Sequence, residues 1–144
     1  GAEEAYPVRA EKAERPTRHG AAFVAVRGDG AVLLRQRPDD GLLGGMSEVT
    51  GTEWRADYDA RNAVFEAPFA ADWRRLPETV VHVFTHFRLE LNVYCAHVGR
   101  VDDAPGGGWW AAPLTLAGEA LPSVMKKVIE AALPGATRKR KRAA

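Results

Sequence analysis

The sequence predicts a mixed α/β (α+β) domain, a β-sheet flanked by helices, and three observations carry that reading. Val80 to Val98 (VVHVFTHFRLELNVYCAHV) keeps a two-residue apolar period along its length. Two further strand-like runs, Gly20–Arg27 and Ala31–Arg37, are separated only by Gly28-Asp29-Gly30. Leu121–Leu133 repeats apolar residues at helical spacing. The resulting order, β-β-loop-β-α-β-β-β-α, suits one mixed sheet covered by helices.

The chain has 144 residues, one domain by length and enough to bury a core. With 46% hydrophobic and 27% charged residues it has the composition of an ordinary globular protein. No apolar run is long enough for a membrane helix, and no secretory signal pattern opens the chain. Cys95 is the single cysteine, which excludes an internal disulfide and a cysteine-built zinc or iron–sulfur site, and suits a reducing, cytoplasmic setting. The net charge of +1 conceals an asymmetry: Arg138–Arg142 holds five of the 20 basic residues, leaving 15 against 19 acidic residues elsewhere, a balance of −4. A broad basic face for nucleic acid is therefore not expected, and the tail reads as a solvated end, with contact to a DNA or RNA backbone as the alternative.

Taken in order, residues 1–18 are polar, carry Pro7 and Pro16, and read as a linker or interdomain arm; the chain then reads as part of something longer. Residues 19–134 are the expected folded domain and 135–144 a basic, disordered tail. Gly28-Asp29-Gly30 supplies the positive-φ positions of a three-residue hairpin loop, with Arg35 and Arg37 alternating outward on the second strand. Asp40–Met46, with Gly44-Gly45 after two leucines, reads as a tight connection into a short strand; it lacks the spacing of a phosphate cradle. Asp57–Ala67 reads as a short helix with Ala60, Ala63, Val64 and Ala67 on one face, stopped by Pro68. Trp109-Trp110 begins a short strand, and Pro122 opens the last helix, which Pro134-Gly135 ends.

A strand as long as Val80–Val98 would run roughly 60 Å at about 3.3 Å per residue, so it must break. Thr85 is the polar flaw in the central part of the apolar row Val81, Val83, Thr85, Phe87, Leu89, Leu91, Val93, Cys95. Phe84-Thr85-His86 is thus expected to be a turn presented between two strands, the kind of place where recognition groups sit. The plain alternative is a strand crossing with Thr85 buried. His82 and His86 lack a third ligand at usable spacing, so no metal is expected; Cys95 lies on the apolar row and reads as an inert thiol.

The element order and the Leu-Leu-Gly-Gly turn resemble the Nudix family, whose carboxylate box is Gly-x5-Glu-x7-Arg-Glu-x2-Glu-Glu-x-Gly. Anchored on Gly51, the required acids fall at Asp57, Phe65-Glu66 and Phe69-Ala70; anchored on Thr52, at Tyr58, Glu66-Ala67 and Ala70-Ala71. Neither register gathers the carboxylates that hold magnesium against a diphosphate, so hydrolase activity is not expected.

A narrower resemblance rests on Gly20–Phe23, Leu33–Pro38, Gly41-Leu42-Leu43-Gly44-Gly45-Met46-x-Glu48, Trp73, His82-Val83-Phe84-Thr85-His86-Phe87-x-Leu89, Gly108–Trp110 and Leu121–Lys127. Together, over roughly residues 5 to 133, they are similar to the C-terminal, Nudix-like domain of MutY-type adenine DNA glycosylases. The resemblance implies a catalytically silent module of base excision repair that helps recognise 8-oxoguanine opposite adenine in double-stranded DNA. It implies substrate-binding roles for Phe84, Thr85, His86 and Arg88, no catalytic residue and no metal in this chain. The family's [4Fe–4S] cluster and adenine-excising groups belong to a separate catalytic half, so this chain itself needs no cofactor. A monomer acting on DNA in a bacterial cytoplasm is the corresponding expectation. A small hydroxyl and a backbone group suffice to tell 8-oxoguanine from guanine, which differ at the C8 oxygen and the N7 proton. A stand-alone hydrolase with a degenerate box, or an adaptor docking through residues 1–18, are the alternatives.

Overall fold

The computed structural model describes residues 15–99 and 103–139. The chain runs β1 (Thr17–Val26), β2 (Val32–Gln36), β3 (Ser47–Glu48), β4 (Thr50–Gly51), a 3-10 turn (Ala60–Glu66), β5 (Arg74–Val83), β6 (Arg88–His97), β7 (Trp109–Ala111) and α1 (Ser123–Ala132). The strands form one mixed sheet in the order β3-β2-β1-β6-β5, with β4 on β1 and β7 on β2. Thr17 and Arg18, expected in the arm, begin β1. Gly135–Lys139, expected in the disordered tail, instead begin with an ordered turn in which the Gly135 and Thr137 N–H groups donate to the Glu130 carboxylate at 2.7 and 2.8 Å; residues 1–14 of the arm and the tail from residue 140 lie outside the described residues.

β1 is the axis of the sheet. It pairs in parallel with the whole of β6, from Thr17 beside Arg88 to Val26 beside His97. Along its other edge it meets β2 at Val26, β4 at Ala22 and Phe23, and Arg55 at His19. Buried on both faces from Gly20 to Val26, it is continuously apolar, as a central strand must be. The β1–β2 hairpin forms over Gly28–Gly30: the Arg27 N–H donates to Ala31 O and the Gly30 N–H to Arg27 O, both at 2.8 Å, with Gly30 at φ +88°.

One sheet face is covered by α1, which buries Val124, Met125, Val128 and Ile129 against Leu89, Leu91 and Val93 of β6 and Ala22 and Val24 of β1. Each such side chain contributes about 1.5–3 kcal/mol on leaving water. Pro122 is the N-cap rather than the first helical residue. On the other face Phe23 packs edge-on against Trp73 (5.3 Å between ring centres) and lies 5.6 Å from Tyr94, with Ala63 beneath.

Three expectations need correction. Residues 60–66 form a 3-10 turn, with about three residues per turn, so only Ala63 is buried while Val64 is 49% and Phe65 88% exposed. The 47–51 segment forms two two-residue strands on different partners, β3 on β2 and β4 on β1. Finally, the apolar row does not stay on one face across the break. β5 and β6 pair Val83 with Arg88 and Val80 with Leu91, so residues sharing a face have opposite parity on the two strands. Val80 is therefore the buried valine of β5, and Val83 is 49% exposed.

Candidate functional site

Between β5 and β6 the chain turns at Phe84–Phe87, the break expected from the sequence. The Phe84 N–H donates to Phe87 O (2.8 Å), closing the turn. The Arg88 N–H donates to Pro16 O (2.9 Å), tying the far side of the turn to the residue before β1. The two phenylalanines face the α1 side of the sheet: Phe87 is buried, Phe84 half-buried, and their rings lie 4.8 Å apart. Burying both ends of the turn pushes its middle outward. Thr85 and His86 are exposed at the tip, so the buried strand crossing does not occur.

Phe84 is the centre of an aromatic cluster. It stacks on Trp54 (6.0 Å, interplanar 26°) and meets His82 edge-on (4.8 Å, 68°). Arginines close the cluster, Arg18 over Phe87 at 4.2 Å and Arg37 over Trp54 at 4.8 Å, each within the range of a cation–π attraction. His82 in turn lies 3.0 Å from Lys127 Nζ of α1, which also donates to Val81 O. Burial, then the Lys127 charge, lowers the His82 pKa, so the ring is held neutral and can accept from lysine.

The four site residues expected from the sequence thus divide. Thr85 and His86 occupy the tip together. Phe84 supports it from below, with its ring engaged by protein neighbours. Arg88 lies on the opposite sheet face, where its Nε donates to Glu90 (3.0 Å), with His19 3.9 Å from the same carboxylate group.

Sequence reasoning missed the residues under the tip. Trp54 also lines a cavity of about 460 Å³ bounded by Arg18, Arg35, Arg37, Glu48 and Glu53. Arg35 and Arg37, expected to point outward, both turn to Glu48: Arg35 Nε donates at 2.9 Å and Arg37 Nη1 at 2.6 Å, to different carboxylate oxygens. Glu48 itself is 6% exposed. The available signal was Leu-x-Arg-x-Arg preceding a lone glutamate flanked by Met46, Ser47 and Val49.

Asp57 and Glu66, the acids supplied by the carboxylate box register, line a separate cavity of about 280 Å³ with Glu53 and Asp59. Tyr58 also lines it; its hydroxyl is buried without a hydrogen-bond partner among the described residues, and its pKa is pushed up to about 12, chiefly by burial. Among the described residues no three His, Cys, Asp or Glu side chains gather closely enough to hold a metal ion. Cys95 is buried on the core row, and burial raises its pKa.

Five of the arginines follow a common pattern. Arg27–Asp29, Arg55–Asp57, Arg61–Asp59, Arg74–Asp72 and Arg88–Glu90 are ion pairs between residues two apart, at 2.7 to 3.2 Å. Each of these cations has a carboxylate as an immediate neighbour.

Comparison with known proteins agrees with this architecture. Residues 21–131 match the model of the NUDIX domain family. The chain is 33% identical over 107 residues to the human (Homo sapiens) adenine DNA glycosylase, a match covering 67% of this chain and 20% of that protein. The chain therefore spans about a fifth of that curated relative. Among solved structures, the C-terminal domain of mouse MUTYH, determined in complex with human PCNA, superposes with a TM-score of 0.65 and 25% identity over 80% of this chain and 86% of that one. A MutT protein from Methanosarcina mazei Go1 gives 0.61 at 18% identity over 81% and 93%, a likeness of fold.

Proposed function

This chain belongs to the NUDIX domain family, and from that premise we propose that it is the lesion-recognition module of an adenine DNA glycosylase, reading 8-oxoguanine opposite the adenine to be removed. The observation that carries the proposal is the Phe84–Phe87 turn: it exposes Thr85 and His86 on a support of four aromatic rings and two arginines. A hydroxyl and an imidazole offer donor and acceptor groups at a fixed height above rigid strands, suited to a base edge carrying one extra carbonyl and one extra N–H. Phe84 supports the tip from below, and Arg88 is turned to Glu90 on the opposite sheet face. Similarity to an adenine DNA glycosylase over a fifth of that protein's length supports the assignment of a glycosylase parent.

In this reading the module adds selectivity and little affinity, and it removes no base. Duplex affinity comes largely from cations that neutralise phosphates. Five surface arginines here already face carboxylates. Phosphate contacts and adenine excision then fall to the catalytic half, which also carries the family's iron–sulfur cluster.

Thr85→Ala in the intact glycosylase tests the reading. The expected result is a drop of roughly tenfold in the preference for 8-oxoguanine·adenine over guanine·adenine, the cost of one base-edge hydrogen bond. Equal loss on both substrates, or none, overturns a base-reading role for the tip.

A further inference from the structure

Two motifs separated in the sequence meet beneath the tip. Glu48 closes the Gly-Gly-Met-x-Glu stretch, and Phe84 opens the Phe-Thr-His stretch 36 positions later. Between them stands one continuous stack. The buried Glu48 carboxylate holds Arg37, whose Nε also donates to Leu42 O at 3.0 Å. The Arg37 guanidinium carbon stands 4.8 Å from the Trp54 ring centre, and Trp54 stacks on Phe84. Phe84 is the residue whose N–H closes the turn.

Trp54 is itself fixed from behind. Arg55 and His19 exchange backbone hydrogen bonds at 2.8 and 2.9 Å, locking that segment to β1. Gly20 lets the indole lie close to the strand: a Cβ there would stand 3.0 Å from Trp54 Cδ1 and 2.9 Å from Thr52 Oγ1.

From this stack we infer that Trp54 is a positioning residue for the lesion-reading tip, holding Thr85 and His86 at a fixed height through Phe84 and held in turn by Arg37 on Glu48. The inference rests on the proposed reading of the tip, but its mechanical part can be measured without DNA. An indole contacted by a cation that is itself tied to a buried carboxylate, and stacked on a second ring, is constrained by two directional contacts rather than by one apolar contact. Lysine in place of Arg37 would keep the charge and lose the flat fork.

The experiment has two arms. In the 144-residue chain, amide hydrogen exchange is followed at Phe84 and, as an internal reference, at Leu91 and Val93 of β6. Trp54→Ala should speed exchange at Phe84 about tenfold relative to those references, the size of losing one aromatic pair, and Trp54→Phe should restore it. No change at Phe84, or an equal acceleration at all three amides, overturns the positioning role. In the intact glycosylase, Trp54→Ala should reduce selectivity for 8-oxoguanine·adenine over guanine·adenine about as much as Thr85→Ala, with recovery in Trp54→Phe. A loosened turn with selectivity that falls in Thr85→Ala but not in Trp54→Ala overturns the role of Trp54 in reading and leaves the tip's reading role standing; no loss in Thr85→Ala overturns the reading itself, so the two failures are distinguishable.

Discussion

Glu48→Gln tests the foundation of the site. The side chain of Glu48 is 8% exposed, and its two oxygens receive separate arginine hydrogen bonds at 2.9 and 2.6 Å. Breaking a fully buried ion pair by removing one partner costs about 3–5 kcal/mol, because the remaining charge stays desolvated. Here the stranded partners are unequal: the side chain of Arg35 is 41% exposed and can recover water, whereas that of Arg37 is 19% exposed and cannot do so fully. Discounting the Arg35 contact to the level of a surface pair leaves a loss of about 2–3 kcal/mol. With a urea slope of about 1–3 kcal/mol/M, the unfolding midpoint should fall by roughly 1 M at unchanged slope. The companion Arg37→Met and the double variant should show a coupling above about 1 kcal/mol. A loss below about 0.5 kcal/mol would mean that water screens these charges as at a surface, and Glu48 would no longer count as the anchor of the stack.

Two further outcomes follow from the same structure. Val80→Ala should cost about 2 kcal/mol in urea unfolding, whereas Val83→Ala should stay within about 0.5 kcal/mol, since Val80 is buried and Val83 half-exposed; the reverse order would refute the odd-sum pairing of β5 with β6. Cys95, buried and with its pKa raised by burial, should react with a thiol reagent at pH 8 only as fast as the domain opens, and at the rate of a free thiol once unfolded; fast labelling of the folded chain would place it outside the core.

Where the sequence was legible, the signal was local. Gly28-Asp29-Gly30 makes a hairpin because its loop needs a left-handed residue, supplied by Gly30. The break at Phe84–His86 follows from length, since no strand of that size fits a domain this small. The apolar stripe of Leu121–Leu133 fixes both the last helix and its buried face. What stayed hidden depends on pairing. A period of two says which residues share a face along one strand, but a turn can keep or reverse its phase, and only the register of Val83 with Arg88 decides. Hence Val81 and Val83 were expected inside and Val80 was not. The 3-10 turn at Ala60–Glu66 was hidden for a related reason: three and 3.6 residues per turn both bury Ala63, and only Val64 tells them apart.

The site shows the same division more sharply. Its exposed members, Thr85 and His86, were found because a polar residue interrupted an apolar row. Its supports, Trp54, Arg37 and Glu48, are spread over the 18 positions from 37 to 54, a segment that reads as loop and short strand, and no spacing rule links them to residue 84. They are brought together by β4 pairing with β1, by the Arg55–His19 bridge, and by β1 lying in parallel against β6, which places Arg18 beside Leu89, two residues after Phe87. That parallel pairing joins segments about 70 positions apart, the kind of contact whose closure entropy no local pattern records. The exposed tip can therefore be recognised from its own residues, while the packing proposed to hold it in place belongs to the topology. Substitutions that change selectivity without touching DNA should accordingly concentrate along the Glu48–Arg37–Trp54–Phe84 line and spare the paired arginines of the outer surface.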